Sequence, residues 1–194
     1  MFIVAIDGLP GAGKTTVIKL LSRRFRLLGM SFRRNSIGNA PLAKAMIPKA
    51  KRYSLGQLER AFIFFTLRMD QFAAAETESR SCDIVVMDRF MGSSFVYDIN
   101  GDQIPPKYFE WGKKIIETKI EFVLFFDVPL SVAYSRKKSE TMKDADFARK
   151  LEQNYRRIAH EQRWIHIDAA QSKEKVADDC FKIIMKKFKR KKVL

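Results

Sequence analysis

Short apolar runs alternate along the chain with stretches that carry an apolar residue every three or four positions. Phe2-Ile3-Val4-Ala5-Ile6, Ile84-Val85-Val86-Met87 and Phe122-Val123-Leu124-Phe125-Phe126 are continuous runs of strand length. Met30-Ser31-Phe32 and Trp164-Ile165-His166-Ile167-Asp168 are weaker ones. After the first run, Val17, Ile18, Leu21, Phe25 and Leu28 recur at helical spacing, and Gly29 is placed to stop that helix. Pro41 and Pro48 bracket a short helix at most. Ser54-Leu55-Gly56-Gln57 reads as a capping box for a long helix with a core stripe of Leu58, Phe62, Phe65, Met69 and Phe72. Asn100-Gly101 is a turn signal, and Pro105-Pro106 precedes a helix containing Tyr108, Phe109, Trp111, Ile115 and Ile116. A helix from Leu130 runs into Arg136-Lys137-Lys138, and another resumes around Asp144 with Phe147, Leu151, Tyr155 and Ile158 on one face. The final helix buries Val176, Cys180, Ile183, Ile184 and Phe188. This alternation predicts one α/β domain over residues 1–194, a five-stranded parallel sheet flanked by helices on both faces.

The first strand and first helix are joined by Gly8-Leu9-Pro10-Gly11-Ala12-Gly13-Lys14-Thr15. This is the phosphate-loop pattern, in the strand–loop–helix context that it needs, and it makes the fold class a P-loop NTPase fold. Glycines let backbone N–H groups encircle phosphate oxygens, and the helix N-terminus adds partial positive charge. Gly8 to Thr16 would therefore cradle the phosphates of ATP, with Lys14 reaching the β- and γ-phosphates and the Thr15 hydroxyl ligating Mg²⁺.

Composition supports a packed domain: 46% of the 194 residues are hydrophobic and 16 are phenylalanine. No apolar run approaches the ~20 residues of a membrane span. The first strand begins at once, with no basic leader or cleavage-site pattern. Cys82 and Cys180 lack metal-ligand spacing and read as reduced thiols, so a cytoplasmic location is expected. The formal net charge is +15; removing the seven cations of 182–192 still leaves +8. The basic end is either a solvated helix terminus or a nucleic-acid contact, and the rest of the charge suits polyanionic substrates.

Several residues fall near the edge where loops follow strands. Arg34 is an anion contact or an exposed loop arginine. Phe64 and Arg68, four apart and off the core stripe, present a ring and a forked donor to one planar ligand, or pack against another helix. Asp88, at the end of its strand beside the phosphate loop, is placed to organise Mg²⁺, and Arg89 to clamp a second phosphate. Residues 136–149 form a short, basic and poorly packed lid. His160 and His166 show no ligand spacing.

In this arrangement the chain resembles the thymidylate kinase family over nearly its whole length. The phosphate loop comes first, then Arg34 to Leu42, loosely like Arg-Glu-Pro-Gly-Gly-Thr-Pro-Leu. Phe64-Phe65-Thr66-Leu67-Arg68 is similar to Phe-x-x-x-Arg. Asp88-Arg89-Phe90 with Ser93-Ser94-Phe95-Val96-Tyr97 is similar to Asp-Arg-Tyr with Ser-Ser-x-Ala-Tyr-Gln. Phe126-Asp127-Val128-Pro129, the basic lid and Ile167-Asp168-Ala169 complete the set. The resemblance implies that Phe64 stacks on the acceptor base and Arg68 bonds its edge. Arg34 and Arg89 would hold the monophosphate, and Ser93, Ser94 and Tyr97 would line the acceptor pocket. Residues near Ala169 and Ala170 would flank the donor adenine. Ala12 in the loop resembles the branch whose lid supplies the catalytic arginine, here Arg136 or Arg149. A homodimer is implied as well. The chain departs from the family pattern at Pro10, where an acidic residue meets the sugar 3′-hydroxyl, at Asn35-Ser36, and at Asp98, which replaces a Gln near the base.

The expected reaction is phosphoryl transfer from ATP to a deoxynucleoside monophosphate, dTMP first. A phosphate acceptor is largely ionised at neutral pH, its second pKa being ~6, and needs no general base. Two alternatives remain at this stage: a nucleoside kinase using Asp7 or Asp88 as base, and a non-catalytic nucleotide-binding protein whose basic surface holds nucleic acid.

Overall fold

The computed structural model describes residues 1–50, 56–99, 110, 114, 118–139 and 142–193. Five parallel strands form one sheet in the order β2-β3-β1-β4-β5. They are β1 (Ile3–Gly8), β2 (Phe32–Ser36), β3 (Ile84–Asp88), β4 (Phe122–Asp127) and β5 (Ile165–Asp168). The central strand β1 is buried at every position, which explains its unbroken apolar run. Alternation then sorts its side chains between the two faces. Val4 and Ile6 join α1 (Lys14–Leu27) and the C-terminal helix α7 (Lys173–Val193) through Val17, Leu21 and Ile184. Ile3 and Ala5 join α3 (Gln57–Glu78) through Ala61, Phe65 and Phe72. Each such large side chain, fully buried, contributes about 1.5–3 kcal/mol. The strand after β3, one neighbour of β1, is β4, the other neighbour, and at such a switch a doubly wound sheet opens its ligand crevice outside the carboxyl ends of its strands.

The structure differs from the sequence reading in several places. Arg33 and Arg34 lie inside β2, not in the loop after it: Phe32 pairs with Ile84 and Ser36 with Asp88. β2 is an edge strand with one partner, so its arginines can face solvent while Phe32 and Asn35 turn inward. Helix α2 (Pro41–Ala50) runs past Pro48, which falls in its last turn. The α3 stripe holds only over its C-terminal half. Phe65 and Phe72 are buried, but Leu58 and Phe62 are exposed. Gly56 is the N-cap of α3, without a side-chain cap, so the capping box on Ser54 does not form the helix start; Ser54 itself lies outside the described residues. So do the Asn100-Gly101 turn and, with it, Tyr108, Phe109, Trp111, Ile115 and Ile116.

A short helix, α4 (Met91–Ser94), follows β3; beyond β4, α5 (Leu130–Arg136) is followed by a stretch without regular structure at 137–139 and then by α6 (Ala145–Glu161). Asp144 caps α6, its Oδ1 accepting from the N–H groups of Asp146 at 3.0 Å and Phe147 at 3.1 Å. The lid is better anchored than its composition suggests, because Met142 is buried in the main core. The basic C-terminus is an ordered helix end. Lys182 pairs with Asp178 at 2.6 Å, Lys191 with Glu121 and Lys192 with Asp83 at 3.8 Å, while Lys187 stands 5.2 Å over the Phe122 ring. Both cysteines are free, and burial pushes the Cys180 thiol up to about 12. Among the described residues no helix is long and apolar enough to cross a membrane.

Candidate active site

The phosphate loop leaves β1 and enters α1 through Gly13, the N-cap, whose φ of 84° is left-handed and whose missing side chain leaves the first-turn N–H groups of α1 uncapped. Gly11 is packed against α5 so closely that a Cβ there would collide with the Ala133 carbonyl oxygen. Lys14 is buried, and its ammonium donates to Gly8 O at 2.9 Å and Leu9 O at 2.7 Å. Burial, with the Arg89 charge nearby, lowers its pKa well below the ordinary lysine value. The loop therefore holds a cation whose charge is poorly solvated until an anion arrives.

A cleft of about 970 Å³ lies over the loop. Its walls include Pro10 to Val17, Asp88 and Arg89 on one side and Arg136, Ala169 and Lys173 on the other. Arg136 donates to Ala169 O at 2.7 Å and Ala170 O at 3.1 Å, so its guanidinium braces the segment expected beside the adenine. A second cleft of about 640 Å³ brings together Phe64, Arg68, Arg89, Ser93, Ser94 and Tyr97, six of the seven residues that the resemblance assigns to the acceptor, and is lined also by Arg60, Ser139 and Phe147. Pro10, Arg89 and Lys137 line both clefts.

Arg89 sits between the clefts in a left-handed backbone conformation, φ 69°. That conformation costs on the order of 1–3 kcal/mol in a non-glycine residue and persists only where neighbours impose it. Here the Arg89 N–H donates to Ile6 O at 2.9 Å, and Gln71 Nε2 donates to Arg89 O at 3.1 Å. Gln71, fully buried, accepts from Arg68 Nη1 at 2.9 Å and so ties the two arginines together. The Arg89 guanidinium donates to Tyr155 Oη at 2.7 Å and to Asp7 Oδ1 and Ser93 Oγ, both at 3.3 Å. Asp7, fully buried at the end of β1, also accepts from Gly8 N, Ser93 Oγ and Tyr155 Oη at 2.8–2.9 Å. Burial works against the Arg89 charge, but the oxygens of Tyr155, Tyr97, Asp7 and Asp88 outweigh it and raise its pKa. Burial raises the phenols of Tyr97 and Tyr155, and Tyr155 keeps the proton it donates to Asp7.

Arg34 stands elsewhere. Its Nη2 and Nε donate to Asp88 Oδ2 at 2.5 and 3.1 Å, and it does not line the second cleft. The Thr15 hydroxyl donates to the same oxygen at 3.3 Å. Thr15 and Asp88, a hydroxyl and a nearly buried carboxylate side by side, are hard oxygen donors of the kind Mg²⁺ accepts alongside phosphates and water. The Arg34 guanidinium marks the point where positive charge is wanted. Arg149 lies away from both clefts, 64% exposed and paired with Asp146 at 2.6 Å. The Asp98 side chain lies outside the described residues.

Four contributors were not singled out for the site from the sequence. Gln71 carries no motif. Tyr155 is one more apolar-face residue of α6, separated from Asp7 by 148 positions. Arg60 precedes the Phe64–Arg68 pair by one turn, and a helical-wheel count would have placed it on their face. Lys137 is passed over in favour of its arginine neighbour.

Residues 6–180 match the family model described as thymidylate kinase. Relatives from three organisms agree. A protein named probable thymidylate kinase 1 in Saccharolobus solfataricus is 24% identical, over 95% of this chain and 97% of that protein. One named probable thymidylate kinase in Pyrobaculum aerophilum is 26% identical over 95% and 96%. A thymidylate kinase of Neisseria meningitidis is 26% identical over 93% and 95%. With the phosphate loop, the Asp88-Arg89 strand end and the second cleft in the family's order, the chain belongs to the thymidylate kinase family.

Proposed function

We propose that the protein transfers the γ-phosphoryl group of ATP to dTMP, giving dTDP and ADP. The observation that carries this reading is the meeting of the two clefts at Arg89 and Lys137, one floored by the phosphate loop and the other walled by Phe64, Arg68, Ser94 and Tyr97. Among the described residues no carboxylate lines the second cleft. Asp7 is enclosed by its donors and Asp88 is held by Arg34, so neither is free to act as base toward a nucleoside hydroxyl. A phosphate acceptor needs no base, and the cleft supports that choice.

In this reading Lys14 and the loop N–H groups bind and orient the β- and γ-phosphates of ATP. Arg89 holds the acceptor phosphate in line, fixed by Asp7, Ser93 and Tyr155. Phe64, Arg68 and Tyr97 place the acceptor base and sugar, and Arg136 braces the Ala169–Ala170 wall of the donor site. Thr15 and Asp88 would hold Mg²⁺, which supplies charge neutralisation on the transferring phosphates when bound. Arg34 occupies only Oδ2 of Asp88, so Oδ1 would remain for the ion. A cytoplasmic setting goes with the two free thiols. We also take the active form to be a homodimer, with Leu58 and Phe62 at the interface: they lie on one face of α3 and are exposed in the single chain. Sedimentation at micromolar concentration is expected to give twice the chain mass, and a monomer there would remove the dimer from the reading. The engaged lysines of α7 favour a structural role for the basic tail over nucleic-acid binding.

The direct test is ADP release with ATP, Mg²⁺ and a panel of dTMP, dUMP, dCMP, dGMP, UMP and thymidine. A kcat/KM for dTMP at least tenfold above the rest is expected. Preference for another monophosphate would keep the mechanism and move the substrate, with Pro10 at the junction of the clefts as the first residue to exchange. Transfer to thymidine alone would overturn the phosphate-acceptor reading.

A further inference from the structure

The transferring phosphoryl group must pass between the two clefts, and the cations found at that passage are the ones able to follow it. Two arginines of the lid region are poorly placed to do so. Arg136 spends both terminal nitrogens on the carbonyls of Ala169 and Ala170, away from the junction. Arg149 points along its own helix to Asp146 and Ala145 O, and lines neither cleft. Lys137 lines both.

The placement of Lys137 is built into the backbone. It is the C-cap of α5, and its N–H donates to Ala133 O at 3.1 Å. That carbonyl is the one pressed against Gly11 of the phosphate loop. The lysine is thus hung from an atom in contact with the loop, so loop and lysine hold a common frame. Its side chain is exposed, and among the described residues its ammonium has no hydrogen-bond or ion-pair partner. Its charge is felt at Lys14, on the floor of the donor cleft. An uncommitted cation, fixed at its root and reaching both clefts, suits an anion that moves from one to the other.

We infer that Lys137, rather than Arg136 or Arg149, is the catalytic lid cation, contacting the transferring phosphoryl oxygens together with Lys14 and Arg89. This rests on the phosphotransferase reading of the site. Arg136 becomes a positioning residue for the donor wall. A lysine is a compact point charge on a flexible stem, able to track the phosphoryl group over its short path.

The test compares Lys137→Met, Lys137→Arg, Lys138→Met and Arg149→Met in the full chain. Lys137→Met is expected to lower kcat about 100-fold, the scale for one preorganised donor, with KM for ATP within threefold. Lys137→Arg is expected to recover most of that loss. Lys138→Met, one residue on and lining neither cleft, is expected within twofold of wild type. Binding of an adenosine–pentaphosphate–thymidine bisubstrate is measured in parallel by calorimetry: Lys137→Met should weaken it at least tenfold and leave ADP affinity unchanged. Full turnover in Lys137→Met, or a loss in Arg149→Met that Lys137→Met does not share, would overturn the inference while the kinase reading stands. A wild-type protein that transfers to no monophosphate would overturn the kinase reading. The bisubstrate would then decide on Lys137 by itself, and failure of wild type to bind it, or equal binding by Lys137→Met, would end the inference too.

Discussion

A Lys14→Met variant is expected to fold normally and to lose turnover by 100- to 1,000-fold or more. The ammonium is the one cation inside the phosphate loop, at the first residue of α1, and among the described residues it bonds only loop carbonyls, Gly8 O and Leu9 O. Phosphate oxygens would replace those carbonyls as its acceptors. Removing one preorganised charged donor from a transfer site costs about 2.7–4 kcal/mol of transition-state stabilisation, and in the proposed mechanism Lys14 serves both the ground-state phosphates and the transferring group. The loss should therefore fall on kcat and on nucleotide affinity together. The fold has no such stake in the charge. Burial, the largest cause, depresses the folded pKa of Lys14 below its unfolded value near 10.5. Between those two values the unfolded chain binds more protons, so stability rises with pH across that window, and at neutral pH the charge is a burden on the native state. The methionine variant is expected to melt at or above the wild-type temperature and to lose that alkaline gain. Coupled ADP release, ADP calorimetry and thermal unfolding at pH 7 and pH 10 check the three parts. Wild-type turnover in a folded variant would refute the role.

The parts of the molecule legible in the sequence are those written in consecutive residues. β1, the phosphate loop and α1 are contiguous, and periodicity and motif agree there. Asp88-Arg89 is equally local, because a strand that ends beside the loop puts its next residue at the same edge. What could not be read depends on pairing at a distance. Arg34 becomes a strand residue only because β3 offers Val86 as its neighbour, and that register also brings its guanidinium to Asp88. Leu58 and Phe62 share a helical face with Phe65, yet periodicity reports a face and not how far the sheet beneath it extends. Tyr155 and Gln71 look like a core aromatic and a lone amide, and acquire meaning only when Asp7 and the strained Arg89 carbonyl are placed against them. Lys137 escaped for a chemical reason: arginine is the expected partner of a phosphate, and that preference pointed to its neighbour, whose guanidinium the fold uses for two carbonyls instead.

Arg89→Met carries the second large effect, and it separates the two clefts. Arg89 borders both, and its bonds run to Tyr155, Asp7 and Ser93, of which Ser93 lines the second cleft. Two charge-assisted hydrogen bonds to an acceptor phosphate, at about 1.5–3 kcal/mol each, amount to a fall of 100- to 10,000-fold in kcat/KM for dTMP. KM for ATP should change by no more than about threefold, since Lys14 and the loop N–H groups remain. Arg89→Lys is expected to recover only part of the loss, because an ammonium cannot hold Tyr155, Asp7 and a phosphate in one plane. There is a structural cost as well. Asp7 keeps Gly8 N, Ser93 and Tyr155 as donors but loses its cation while fully buried, and the methionine must still adopt a φ near 69°. Urea unfolding is expected to show a destabilisation of about 1–3 kcal/mol. Tyr155→Phe distinguishes the two consequences: it leaves the guanidinium in place but unsteered, so the acceptor KM should rise severalfold with little change for ATP. If Arg89→Met kept the wild-type KM and kcat for dTMP, the monophosphate would have to be held from another wall of the cleft, with Arg60, Arg68 and Lys137 as the remaining cations there.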